Sequence, residues 1–301
     1  MIAMAVFEPR KMLCRAGLCA LLGGFLAASD KPLEPVDLEL VITTDVSFSV
    51  DDMEARMQRD GAVTAFRSPE VVQAIQAGAL GKIAVAYIDF SNAGANRVVV
   101  NWTVVHDRES AEAFADALAH SRRTDGVQTS ISSGIEMATR MIENNHYEGT
   151  KKVIDVSGDG PNNEGHFVDK ARDEAVAKGI VINGLPIMTE ADMFDIYYLP
   201  DLDKYYAGCV IGGPGSFIQV ARGFADLARA LRRKLVQEIS DSRSPRENPL
   251  LIKVAASDKP RTNSWSHPAY DKGCDIGERM RYGGYNPSSD RDQVSQPLPR
   301  R

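Results

Sequence analysis

Asp45, Ser47 and Ser49 stand on alternate residues where an unbroken apolar run ends, in the stretch LVITTDVSFSVDDME from Leu40 to Glu54. A turn favours Asp and Ser but does not require that spacing. A hard cation does require several oxygens aimed at one point. Two later stretches offer the same chemistry. GVQTSIS (126–132) places Thr129 just ahead of a helical pattern, and DVSGDGPNN (155–163) ends an apolar run in Ser-Gly-Asp-Gly, with Asp159 as its acid. Side by side, the three would bring together Asp45, Ser47, Ser49, Thr129 and Asp159, two carboxylates and three hydroxyls. Such a set suits Mg²⁺ or Mn²⁺, and Ca²⁺ less well, because Ca²⁺ has longer bonds and a larger coordination number. No His or Cys joins the five to favour zinc.

Each of these residues also has a plainer reading. Asp45 and Ser47 could cap a helix that starts near 51, Thr129 could cap one that starts near 130, and Asp159-Gly160 could be a turn. Between the two lies a metal that only clips the fold together.

The elements that would position these loops follow from hydrophobic periodicity. Apolar runs rich in β-branched residues cover 38–44, 82–90, 97–105, 151–157, 179–187 and 216–221. Amphipathic patterns cover 51–66, 69–77, 109–120, 130–144, 166–178 and 223–239. Strands apolar on both faces and separated by helices predict a mostly parallel sheet with helices on both sides, a doubly wound α/β domain over 36–240. The short DFSNAGANR turn between the second and third runs predicts one antiparallel edge strand. In such sheets ligands lie outside the C-terminal strand ends, where all three oxygen-bearing stretches fall.

With 44% hydrophobic and 25% charged residues in 301, the chain can build a core of ordinary size. Its net charge of −6 is uneven: both ends are net basic and the stretch between is strongly acidic. An acidic core without a basic patch argues against nucleic acid as a partner. Arg10, Lys11 and Arg15 precede a short apolar run, AGLCALLGGFLAA (16–28), which reads as an export signal over 1–29 cleaved after Ser29. The mature chain would be periplasmic or secreted, with no later segment able to span a membrane. Residues 241–301, rich in Pro, Ser, Arg and Asp, read as a largely disordered tail. Cys209 and Cys274 remain after signal removal. One pairing is open to them, and two lone thiols are the default reading.

Asp-x-Ser-x-Ser, then Thr, then Asp, in this order and on these elements, resembles the von Willebrand factor type A domain and its metal-ion-dependent adhesion site. FRSPEVVQAI, IDVSGDGPNN and CVIGGPGSF are similar to a bacterial family of exported type A-like proteins of uncharacterised function. The resemblance implies a Rossmann-like fold and a metal held by the five residues named above. It also implies adhesion-type binding, in which a partner protein's Asp or Glu completes the coordination. Two departures stand out: Phe48 occupies a place usually taken by a small residue, and the threonine loop reads GVQT rather than Gly-Gly-Thr. The ring at 48 either perturbs its loop or stands exposed beside the metal as a contact. Tyr197, Tyr198, Tyr205 and Tyr206 read as packing residues that could also rim a partner surface.

The rival is a metal-dependent hydrolase. SGDGPNN resembles the metal loop of haloacid-dehalogenase-type phosphohydrolases, but that chemistry needs an acid-base Asp where Ser47 stands. No nucleophile elbow and no P-loop occur.

Overall fold

The computed structural model describes residues 32–122, 124–189, 197–241 and 269–283. The export-signal reading of 1–29 lies outside them. From Leu33 onward they belong to one compact unit, and no helix among the described residues is long and apolar enough to cross a membrane.

Six strands, β1 (Glu34–Asp45), β2 (Ile83–Phe90), β3 (Arg97–Val105), β4 (Tyr147–Gly158), β5 (Val181–Met188) and β6 (Ala221–Arg222), form one sheet in the order β3-β2-β1-β4-β5-β6. Only the β2–β3 pair is antiparallel, as the short connection predicts. β1 lies at the centre, and from Val36 to its end every residue is buried. Its register aligns Thr44 with Asp89 of β2 and with Ser157 of β4, so the ends that carry the candidate oxygens finish level with one another.

One face of the sheet packs against α1 (Asp52–Phe66), α2 (Pro69–Gln76), α3 (Arg108–Ala119) and α7 (Leu227–Asp241). The other packs against α4 (Ile131–Glu143), α5 (Val168–Ala177), the short α6 (Leu202–Tyr205) and α8 (Ile276–Arg281). This is the predicted fold class. Under the first face, Lys234 of α7 is fully buried and pairs with Asp155 of β4 at 2.6 Å and with Glu238 one turn along its own helix. Asn183 donates to Glu238 at 2.8 Å.

The helix caps bear on the capping reading of Asp45, Ser47 and Thr129. Asp51 caps α1 in a reciprocal box with Glu54, and Ser130 caps α4. Asp45, Ser47 and Thr129 are therefore not the caps of these helices, and the capping reading of all three is corrected. The backbone N–H groups that begin each helix are served by the residue adjoining it.

Three further expectations change. The strand expected over 216–221 shrinks to Ala221–Arg222, because the chain before it turns through Gly213 and Gly215, both at positive φ. The sixth helix starts with a 3₁₀ turn (Phe224–Asp226) before α7. The reading of 241–301 as a tail with little structure fails for 269–283. There Tyr270, Ile276 and Met280 are buried, and Cys274 forms a disulfide with Cys209, Cα atoms 5.5 Å apart, in place of two lone thiols. The remainder of 242–301 lies outside the described residues.

Candidate metal centre

The loops after β1 and β4 and the loop before α4 meet at the C-terminal edge of the sheet, and all five candidate residues come together there. Asp45 ends β1 fully buried, and its Oδ1 accepts the Ser47 N–H at 2.8 Å, which bends the chain so that the Ser47 and Ser49 hydroxyls face the same point. Thr129 Oγ1 donates to Ser47 Oγ at 3.0 Å, Ser47 Oγ lies 3.1 Å from Ser49 Oγ, and Ser49 Oγ donates to Asp159 Oδ1 at 2.9 Å. These separations are those of ordinary hydrogen bonds, so Thr129, Ser47, Ser49 and Asp159 form one connected run of oxygens.

Asp45 carries the electrostatic signature. Burial pushes its carboxyl well above the usual carboxylate range, the Asp159 charge pushes it further, and hydrogen bonds from Ser47 offset this only in part. Its second oxygen, Oδ2, is buried with no hydrogen-bond partner. A buried carboxylate facing another acid with one oxygen bare is costly, and a cation between the two removes that cost. Among the described residues there is no cluster of three or more His, Cys, Asp or Glu, so a cation here would be held by hydroxyls as much as by carboxylates.

Supporting residues that the sequence reading did not single out surround the five. Asn163 donates its N–H to the Thr129 carbonyl at 2.8 Å and accepts the Thr129 N–H on its side-chain oxygen at 2.9 Å. Asn162 accepts the Ser132 N–H at 3.0 Å and donates its own N–H to the Tyr205 hydroxyl at 3.1 Å. Paired asparagines directly after Asp-Gly-Pro were the available signal. Gly158 lets Tyr206 and Asp45 close in on the strand end: a Cβ there would lie 2.9 Å from the Tyr206 hydroxyl and 3.0 Å from Asp45 Oδ2. Burial, then the charges of Asp45 and Asp159, push the Tyr206 phenol well above its ordinary value, so it remains protonated. Tyr205 and Tyr206 are thus packing residues, as expected, but packed against the site.

Around the mouth, large apolar side chains stand in solvent: Phe48 at 84% exposure, Met53 at 68% and Val127 at 65%. The ring at 48 is in solvent, and the hydrogen bonds among Thr129, Ser47, Ser49 and Asp159 form beside it.

Residues 35–243 match the model of a family described as "Protein of unknown function (DUF1194)". No curated protein matches the chain. Among solved structures, proximal thread matrix protein 1 from the mussel byssus is similar at 14% identity over 69% of this chain and 48% of that one, with a TM-score of 0.50. The same mussel protein with a zinc-occupied MIDAS motif gives 14% over 70% and 49%, TM-score 0.46. The vWF domain of the type V pili tip protein Mfa5 from Porphyromonas gingivalis gives 12% over 71% and 98%, TM-score 0.46. At such identities the likeness is one of fold, the von Willebrand factor type A fold. The chain spans about half the length of the mussel protein.

Proposed function

The chain belongs to the DUF1194 family, and we propose that it is an exported, divalent-metal-dependent protein-binding module of adhesion type. Asp45, Ser47, Ser49, Thr129 and Asp159 would hold Mg²⁺ or Mn²⁺, and a partner protein's Asp or Glu would complete the coordination. One observation carries this reading: the side-chain oxygens of Thr129, Ser47, Ser49 and Asp159 are linked at 2.9–3.1 Å beside a buried Asp45 whose Oδ2 has no partner.

Each residue has a distinct part. Asp45 and Asp159 bring the negative charge, and the three hydroxyls bring neutral oxygens at fixed spacing. A divalent ion held by these five residues would supply an electrophilic seat for an outside oxygen. A carboxylate suits that seat, and Phe48, Met53 and Val127 around the mouth suit apolar neighbours of that carboxylate on the partner. The mussel protein's MIDAS motif holds zinc; the all-oxygen set in this chain favours the harder Mg²⁺ or Mn²⁺.

The hydrolase alternative needs a proton-accepting group beside the ion. Asp45 and Asp159 would both be engaged with the metal, and Ser47 stands where a phosphohydrolase requires its acid-base Asp. Calorimetric titration of Mg²⁺ into the wild type and Asp45→Ala tests the reading: one site in the wild type and none in the variant is expected. A wild type that takes up no divalent ion overturns it. Turnover of generic phosphoesters that disappears in Asp45→Ala would transfer the site to the hydrolases.

A further inference from the structure

The Asp159 loop is held from its outer side by a segment remote in sequence. Asn162 Nδ2 donates to Glu278 Oε1 of α8 at 2.7 Å, and Arg281 reaches the Asn163 carbonyl at 3.3 Å and pairs with Glu164 at 3.3 Å. Gly277 packs so closely on the loop that a Cβ there would collide with the Asn162 carbonyl oxygen. The Tyr205 hydroxyl, which accepts the Asn162 N–H, also donates to the Cys274 carbonyl at 3.5 Å. From Asn162 and Asn163 the contacts run on to Ser132 and Thr129, and so to the oxygen cluster.

α8 has six residues, too few to persist as a helix without an anchor. It has two. Ile276 and Met280 are buried against the second face of the sheet, and Cys274, two residues before the helix, is bonded to Cys209, on the π-helical turn (Tyr206–Val210) that follows Tyr205 and starts at Tyr206. Tyr270 and Lys272 add contacts to Asp201 at 3.0 and 3.1 Å.

We propose that residues 269–283 are a disulfide-latched brace for the Asp159 loop, and that the Cys209–Cys274 bond sets how tightly the centre holds its ion. The claim on affinity rests on the metal-binding reading above. A positioned loop presents Asp159 and Thr129 already in place. A released one must be ordered at the cost of metal affinity, as happens when outer partners of metal ligands are lost, typically 10–100-fold. Opening the latch requires a dithiol reductant: the S–S bond breaks, each sulfur takes one electron and one proton to become a thiol, and the dithiol closes to its own disulfide.

The test uses the full chain, oxidised and then dithiol-reduced, with thiol titration to confirm opening. Without metal, reduction should raise hydrogen exchange at the Thr129, Asn162 and Asn163 amides about tenfold or more while the central amides of β1 and β4 stay protected. Mg²⁺ affinity should fall about tenfold or more. Should reduction unfold the chain, Glu278→Ala/Arg281→Ala with the disulfide intact must give the same local rise in exchange. Unchanged exchange at these amides in that variant, or in a folded reduced chain, overturns the brace. Mg²⁺ binding that ignores reduction overturns the claim on affinity alone, and an oxidised wild type that binds no Mg²⁺ overturns that claim together with the reading of the site.

Discussion

Asn163 grips Thr129 through two hydrogen bonds, its backbone N–H on the threonine carbonyl at 2.8 Å and its side-chain oxygen on the threonine N–H at 2.9 Å. The pair ties the loop before α4 to the loop after β4, and so fixes the distance between an oxygen from each. Asn163→Ala keeps the backbone bond and removes the other. Mg²⁺ affinity should fall about 10–100-fold, with the melting midpoint in chelator lowered by only a few degrees, because one part-compensated hydrogen bond contributes about 1 kcal/mol. Calorimetry and thermal melting read the two separately. Equal Mg²⁺ affinity in both proteins would mean that Thr129 is not held for a metal.

Metal itself should stabilise the fold. An ion that binds only the folded state adds about 2.7 kcal/mol at 100 times its dissociation constant, and in a domain of this size each kcal/mol moves the midpoint by about 2–4 °C. Saturating Mg²⁺ or Mn²⁺ should therefore raise it by about 5–10 °C over chelator, Ca²⁺ by less. Asp45→Ala should abolish the gain and raise the midpoint in chelator, since burial and the Asp159 charge both disfavour the Asp45 carboxylate when no ion is present. Ser47→Ala should only blunt the gain, because water can take a neutral ligand's place. A midpoint that no divalent ion moves would leave the oxygens as a hydrogen-bonded cluster and nothing more.

Phe48 tests the apolar mouth. Its ring is 84% exposed on the loop that carries Ser47 and Ser49. Phe48→Gly should leave Mg²⁺ affinity unchanged and weaken capture of Asp-containing peptides with apolar flanks on an array in Mg²⁺. Peptide capture that survives the change would remove Phe48 from the contact surface, and lost Mg²⁺ binding would show that the loop depends on the ring.

The buried Asp155–Lys234–Glu238 cluster sets a pH dependence away from the metal. Burial raises the Asp155 carboxyl from 3.8 to about 7, with Glu238 adding to the rise and Lys234 opposing it. Between these values the folded chain keeps a proton that the unfolded chain has released. The contribution of Asp155 to stability is thus full below about pH 4, declines as pH climbs toward 7, and levels off above. Asp155→Asn should flatten that decline in melting midpoints taken from pH 5 to pH 8. A slope identical to the wild type's would assign the titration to other groups.

How much of this was legible beforehand depended on the range of the forces involved. Runs such as LELVITT and KIAVAYIDF declare buried strands because side-chain alternation and β-branched residues act within a few neighbours, and β1 and β2 lie where those runs stand. The spacing of Asp45, Ser47 and Ser49 is likewise local and stands in the sequence itself, whereas the approach of Thr129 and Asp159 does not.

Other features had no local trace. α8 is too short to show a period, and the Cys209–Cys274 bond joins residues 65 apart that approach only because α6 and the π turn fold back over the sheet. Ser130 rather than Thr129 caps α4 because cap choice depends on where the first turn starts, within a residue or so, and Asp45 cannot cap α1 because it still belongs to β1. Asp155 lay hidden in a run that reads as apolar, since its partners come from another element, α7. Residue types and periodicity determined the strands, the helices and the oxygen chemistry at the sheet edge. Tertiary structure alone decided which groups meet there, what braces them and which charges are buried, because those outcomes depend on distances between segments that the chain order does not contain.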